Sequence, residues 1–382
     1  MTNPTFISPI DYTSEVEPES VGINSKKLEK LVQVFEGQVR VEKLHPSAQL
    51  VVLRHGKVVL NRAIGISRGK SIDPDTSFLT FSVSKALTGI CLHKLIEDGL
   101  VDINAKVADY WPGFGCKGKE DARIKHVFLH QAGIPAPHLY SQILVWPFWR
   151  LVTLHVAKSA AVFPPGTKSA YHLLNYGFII GEVVRRVTGQ SISKYLKENF
   201  LDPLGMGNSY MPLPYREYLN SPRLETDERQ LKTAVTLFNF PHLRHALMPA
   251  ATLHSSAKDL AIFYQMLLNG GTYAGKNFLV PETIAFAISE GCAGFDETTH
   301  SYHRWAYGFH LGGKIETPEG EKYLGMGSGA SQSAFGHFGM ASSLAFADPV
   351  ADLVFMFTCS KLIDSGKVRN QPLLEALWES II

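Results

Sequence analysis

The apolar residues of this chain fall into two rhythms, and their order along the sequence outlines a fold. Leu28, Leu31, Val32 and Phe35 recur at three- and four-residue spacing, which predicts an amphipathic helix over 25–35. Two runs rich in β-branched and aliphatic residues follow, 48–54 and 57–64, and His55-Gly56 between them predicts a tight hairpin. The far end of the chain supplies a second such pair, 342–347 and 353–359, around a turn at 348–352, and then a final helix over 372–381. Between the two ends the rhythm is helical, at 176–187, 191–200 and 257–268, with Pro- and Gly-rich connections. The economical architecture is α/β of the α+β kind, one antiparallel sheet formed by both chain ends and flanked by helices, with a mainly helical region inserted. That divides the chain into a discontinuous sheet unit, 20–80 with 240–382, and a helical unit, 81–239. A ligand pocket is expected at the seam between them.

The seam coincides with a departure from helical amphipathicity. Val83, Ala86, Leu87, Ile90 and Cys91 form one apolar stripe, yet the opposite side carries Thr88 and Gly89 rather than charge, so both faces of this helix are expected to be covered. Lys85 is then a lone charge in a packed helix, one turn after Ser82. Burying an unpaired ammonium costs several kcal/mol, so such a lysine needs a reason. One reason is catalysis, with the helix N-terminus favouring negative charge on Ser82 or on a substrate oxyanion. The bland alternative is a capping serine beside a lysine that reaches out to water.

The Ser-x-x-Lys spacing occurs four times, at Ser67/Lys70, Ser82/Lys85, Ser191/Lys194 and Ser255/Lys258, so context has to separate them. Ser191 and Ser255 precede charged helical segments and read as N-caps. Ser67 lies in a glycine-rich turn; Gly65-Ile66-Ser67-Arg68-Gly69 satisfies the G-x-S-x-G pattern, but it ends a hairpin where a nucleophile elbow needs a strand-to-helix turn.

Composition removes other classes of function. The 45% hydrophobic and 19% charged residues are those of an ordinary globular protein, and a net charge of +2 gives no basis for nucleic-acid or membrane binding. Cys91, Cys116, Cys292 and Cys359 are too scattered for a disulfide framework or a zinc site and read as core thiols. Fifteen histidines include no H-E-x-x-H, and His242/His245 and His300/His303 read as solvated loop residues, so no metal or other cofactor is expected. The N-terminus has no basic region followed by an apolar run, which points to a cytoplasmic protein. The most apolar long stretch, 140–157, holds Pro147 and Arg150 and reads as buried or interfacial.

A serine nucleophile needs a proton acceptor and oxyanion donors. Two segments offer them: Tyr171 in a turn just before a helical run, and Phe335-Gly336-His337-Phe338-Gly339-Met340 at a strand entry. With Ser82-Val83-Ser84-Lys85, these give the chain a resemblance to the serine β-lactamase and penicillin-binding-protein superfamily, most closely to family VIII carboxylesterases and class C β-lactamases. Tyr171 matches the tyrosine of the second motif, and His337-Phe338-Gly339 the His-x-Gly that replaces Lys-Thr-Gly in the esterases. Segments 102–112, 129–134 and 252–260 add to the resemblance, which covers nearly the whole chain.

The resemblance implies that Ser82 is acylated and that Lys85 and Tyr171 form the general base pair. In that scheme Lys85 supplies the positive charge that a phenol of ordinary pKa near 10 needs in order to act as a base. It also implies an oxyanion hole from the backbone N–H groups of Ser82 and Met340, with Gly339 allowing close approach and His337 facing substrate. Two departures bear on the substrate. Tyr171-His172-Leu173 lacks the asparagine of Tyr-x-Asn, and His337 replaces a lysine that would meet a carboxylate; both favour a neutral ester, and the leading expectation is a hydrolase of short-chain carboxylic esters. Trp146, Trp149 and Trp305 are pocket candidates, within an aromatic set that includes Tyr140 and Phe148 and that core packing also explains. The competing readings are a β-lactamase or D-alanyl peptidase, an acyltransferase using the same acyl-enzyme, and a non-catalytic ligand-binding scaffold. The sequence leaves the oligomeric state open.

Overall fold

The computed structural model describes residues 9–135, 143, 145–363 and 366–382. Tyr140 lies outside them. A nine-stranded sheet forms the frame, from β1 (Ser47–Arg54), β2 (Lys57–Ser67), β3 (Lys70–Ser71), β4 (Glu290–Asp296), β5 (Ser301–Ala306), β6 (His310–Leu311), β7 (Phe335–Gly339), β8 (Ser343–Asp348) and β9 (Leu353–Cys359). Its order is β3-β2-β1-β9-β8-β7-β6-β5-β4, and every neighbouring pair is antiparallel. The two chain ends therefore meet at the centre, where β1 pairs with β9 from Ala48↔Cys359 to Arg54↔Leu353.

Strands β1, β8 and β9 are buried along their whole length, which requires cover on both faces. Alternate residues supply it, because successive side chains of a strand point to opposite sides. Leu50 and Val52 join Phe346, Phe355 and Phe357 under the helices α1 (Ser25–Arg40) and α7 (Gly366–Ser380). Val51 and Leu53 face the other way, with Ala345 and Met356, towards α6 (Ala257–Leu268) and the helical region. That region contains α2 (Ser84–Glu97), α3 (Trp149–Lys158), α4 (Asn175–Thr188) and α5 (Lys232–Asn239).

Capping chemistry fixes several boundaries. The Asn24 side chain accepts from the Lys27 N–H at the start of α1, and Ser191 accepts from the Lys194 N–H before the short helix Ile192–Leu196. The cap of α6 is Ser256, which accepts from the Asp259 N–H, not its neighbour Ser255, whose hydroxyl meets Ser209. All four cysteines are free; Cys91 and Cys359 are buried, whereas Cys116 and Cys292 are only partly so. Among the described residues no helix is long and apolar enough to cross a membrane.

Candidate active site

The chain enters α2 through a 3-10 turn, Phe81–Val83, and the turn is strained: Phe81 has φ of +49°, a region that costs a non-glycine residue of order 1–3 kcal/mol. Surrounding bonds hold it there. Thr80 donates through its N–H (2.9 Å) and its hydroxyl (3.0 Å) to the Leu253 carbonyl, while the Ser84 hydroxyl donates to the Phe81 carbonyl and accepts from the Leu253 N–H at 3.0 Å. Ser82 is thereby presented at the edge of a cleft while residues 83 to 93 are buried.

Lys85 is completely buried and has no carboxylate beside it. Its Nζ lies 2.9 Å from Ser82 Oγ, 2.8 Å from the Leu173 carbonyl and 3.3 Å from the Ala250 carbonyl. Burial alone pushes its pKa well below the usual lysine range. The two carbonyls can only accept, so a neutral amine spends both N–H groups on them and turns its lone pair to the third neighbour. That neighbour is the Ser82 hydroxyl. Burial disfavours the ammonium that the expectation of a Tyr171 phenolate held by Lys85 requires.

Nζ also lies 4.6 Å from the centre of the Tyr171 ring, so one amine touches both groups. Tyr171 is fixed from two sides. Its ring stacks on Trp305 (5.6 Å between centres, 12° between planes), and its backbone N–H donates to Asp296 Oδ1 at 3.1 Å. The same oxygen accepts from the N–H groups of Thr298 and Thr299, so the buried Asp296 ties the Tyr171 loop to the outer strand β4.

The third segment closes the site. A Cβ on Gly339 would stand 2.2 Å from the Thr80 carbonyl oxygen, so only glycine lets β7 lie against the Ser82 turn. This close approach brings Met340 to the same cleft as Ser82. His337 is placed differently from the expectation. Its ring is 1% exposed, its Nδ1 lies 2.9 Å from the Phe338 carbonyl, and it packs behind the cleft edge-on to His310; burial brings its pKa down to about 3. It is therefore neutral at any ordinary pH and offers no charge to a carboxylate.

The cleft has a volume of about 640 Å³. Phe81, Ile143, Trp146, Leu174, Leu237 and Phe238 give its wall an apolar character, and Leu173 stands where the resemblance places an asparagine. Of the three pocket candidates Trp146 lines this space. Trp305 is instead buried behind Tyr171, and Trp149 packs on Phe178 and donates to Glu182 at 2.9 Å, so those two support the site without facing it. Phe148 is exposed and belongs to neither the core nor the cleft.

Sequence reasoning missed four contributors: Asp296, Thr299, His303 and His310. They sit on or beside β4, β5 and the two-residue β6, and β4 and β5 show no regular alternation of buried and exposed residues. His303 is no solvated loop residue, since it lies on β5, lines the cleft and contacts the Thr299 and Ser301 hydroxyls at 2.8 Å; His245 likewise is half-buried, with Nδ1 2.6 Å from the Leu213 carbonyl. His242 and His300 are exposed, as the sequence suggested. The rival Ser67 ends β2, and its hydroxyl accepts from the Arg223 N–H at 3.0 Å.

A serine on a strained turn, one turn before a buried lysine, a tyrosine against that lysine and a glycine strand closing on the serine are the parts of a serine hydrolase. The chain belongs to the Beta-lactamase family, whose model matches residues 29–377, and it is a hydrolase of the serine β-lactamase fold. Its fold is similar to that of a family VIII carboxylesterase (TM-score 0.82, 29% identity, covering 94% of this chain and 99% of the other). It is also similar to a penicillin-binding protein homologue from Caulobacter crescentus (TM-score 0.78, 27% identity, 94% and 99% covered). In sequence it is 26% identical to a protein of Salmonella enteritidis PT4 provisionally named a D-alanyl-D-alanine carboxypeptidase, over 87% of this chain and 82% of that one.

Proposed function

We propose that this protein is a carboxylesterase that cleaves neutral, short-chain carboxylic esters through an acyl-enzyme on Ser82. The observation that carries this reading is the lining of the cleft, which among the described residues contains no Lys, Arg, Asp or Glu. Its histidines do not supply a cation either, because burial holds both His303 and His310 below the ordinary imidazole range. A β-lactam or a peptide C-terminus brings a carboxylate, and a charge taken out of water without a partner is costly. An ester with an apolar acyl group meets no such penalty.

The steps follow from the contacts. The Lys85 amine takes the proton of Ser82 as Oγ attacks the ester carbonyl, and the backbone N–H groups of Ser82 and Met340 receive the oxyanion. Tyr171, in contact with Lys85, passes the proton to the departing alcohol oxygen as the ester C–O bond breaks. Water then attacks the acyl-serine by the reverse relay, releasing the acid. The four free thiols suit a reducing compartment, in keeping with a cytoplasmic location.

The reading separates from the peptidase or β-lactamase alternative by substrate. Purified protein should turn over p-nitrophenyl butyrate with kcat/KM at least about a hundredfold above that for nitrocefin, since a buried uncompensated carboxylate costs a few kcal/mol or more. Comparable or reversed efficiencies would assign the site to carboxylate-bearing substrates.

A further inference from the structure

One feature of the cleft is unused by the chemistry above. His310, on β6, is 8% exposed and lines the cleft, yet its imidazole makes no hydrogen bond with any described residue. It is held between the ring of Trp305 (4.1 Å between centres), the edge of His337 (4.8 Å) and Phe338 (5.1 Å), so it is a fixed group. Buried polar groups in folded proteins nearly always have partners, and one aimed into a substrate cleft is available to a ligand. Thr299 and His303 line the same part of the cleft; His303 Nε2 is engaged by the Thr299 and Ser301 hydroxyls, and its ring lies 5.2 Å from that of His310.

The chemistry of this patch restricts what it can recognise. Burial disfavours a proton on His310, so it presents one N–H donor and one bare nitrogen acceptor. That pair matches a hydroxyl, which both donates and accepts. A carboxylate, which only accepts, meets the N–H alone and brings a charge into a cleft whose described lining holds no Lys or Arg.

Position says which arm of the ester is met. The Tyr171 ring lies 6.3 Å from His310, and Tyr171 is the group that returns a proton to the leaving oxygen. Elsewhere in the cleft wall Phe81, next to Ser82 in the chain, packs edge-on against Phe238 of α5 at 5.1 Å, and Leu237 lines the same cleft, which suits an alkyl acyl chain. We propose that His310, with Thr299 and His303, forms a polar subsite for a hydroxyl on the leaving alcohol, so that the preferred substrates are short-chain esters of hydroxylated alcohols. This rests on the acyl-enzyme reading of Ser82.

The test compares glyceryl monobutyrate with n-propyl butyrate, which share an acyl group and differ by two hydroxyls. In the unmodified protein kcat/KM should favour the glyceryl ester by about fivefold, the size of one net hydrogen bond. His310→Phe keeps an aromatic ring against Trp305 and should bring the ratio close to one; Thr299→Val, a smaller change, should lower it in the same direction and serves if the first variant does not fold. A ratio near one in the unmodified protein, or a ratio unchanged in the folded variants, would overturn the subsite while leaving the esterase reading intact. A protein that cleaves neither ester and takes no fluorophosphonate label at Ser82 would overturn the catalytic reading, and the subsite with it.

Discussion

Lys85→Met should lower kcat for p-nitrophenyl butyrate by about 10²- to 10⁴-fold, the range that a positioned proton acceptor contributes. Methionine keeps an unbranched chain of similar length in the packed helix but removes the nitrogen, so the change isolates the chemistry of the amine. The expectation follows from valence. Nζ has three oxygen neighbours, two of them carbonyls, and burial favours the amine over the ammonium. In the proposed reaction the remaining electron pair is the base for Ser82. KM should change much less than kcat, because Nζ does not itself line the cleft. Single-turnover kinetics with a circular-dichroism control for folding check this; a folded variant with near-normal kcat would move the base elsewhere, with Tyr171 the first candidate.

Lowering the pH from 7 to 5 should bring the protein to the edge of unfolding. Burial brings His45 and His337 down to about 3 and His93 and His172 down to about 4, and all four are almost completely enclosed. In the unfolded chain each titrates near 6.5. Between those values the unfolded state binds more protons than the folded one, so stability falls as pH falls below about 6.5 and keeps falling towards 4 to 3. At pH 5 each of these histidines costs about 2 kcal/mol, together about 8 kcal/mol, against a typical total stability of 5–15 kcal/mol. His130, His254 and His310 are shifted in the same direction and add to the effect, whereas the raised carboxyl of Asp259 opposes it as one group. Urea midpoints at pH 7, 6 and 5 measure it. A midpoint that stays level to pH 5 would mean that these imidazoles are reached by water or are paired when protonated.

The same burial explains which features could be read from the sequence. β1, β8 and β9 are apolar on both faces because helices cover both, so continuous apolar runs marked them within about a residue of their ends. α6 was placed at 257–268, matching the observed Ala257–Leu268, because its apolar spacing and its polar N-terminal serines agree. Lys85 was legible for the same reason, as a charge where the surrounding pattern left no polar face. β4 and β5 gave no such pattern, because most of their residues are half-buried or exposed without regular alternation, and β6 is only two residues long. α5 was also missed, since Phe238 is its one buried residue and its packing is to a cleft, not to a core. The misplacement of Trp149 and Trp305 has the opposite origin, because large aromatics near a motif serve equally as walls and as supports.

The central claim is that Ser82 is an acylated nucleophile, and active-site trapping tests it most directly. After exposure to a fluorophosphonate, peptide mass spectrometry should find one adduct on Ser82, absent from the Ser82→Ala variant, with hydrolysis of p-nitrophenyl butyrate lost in step with labelling. An adduct at Ser67, or hydrolysis that survives in Ser82→Ala, would contradict the account.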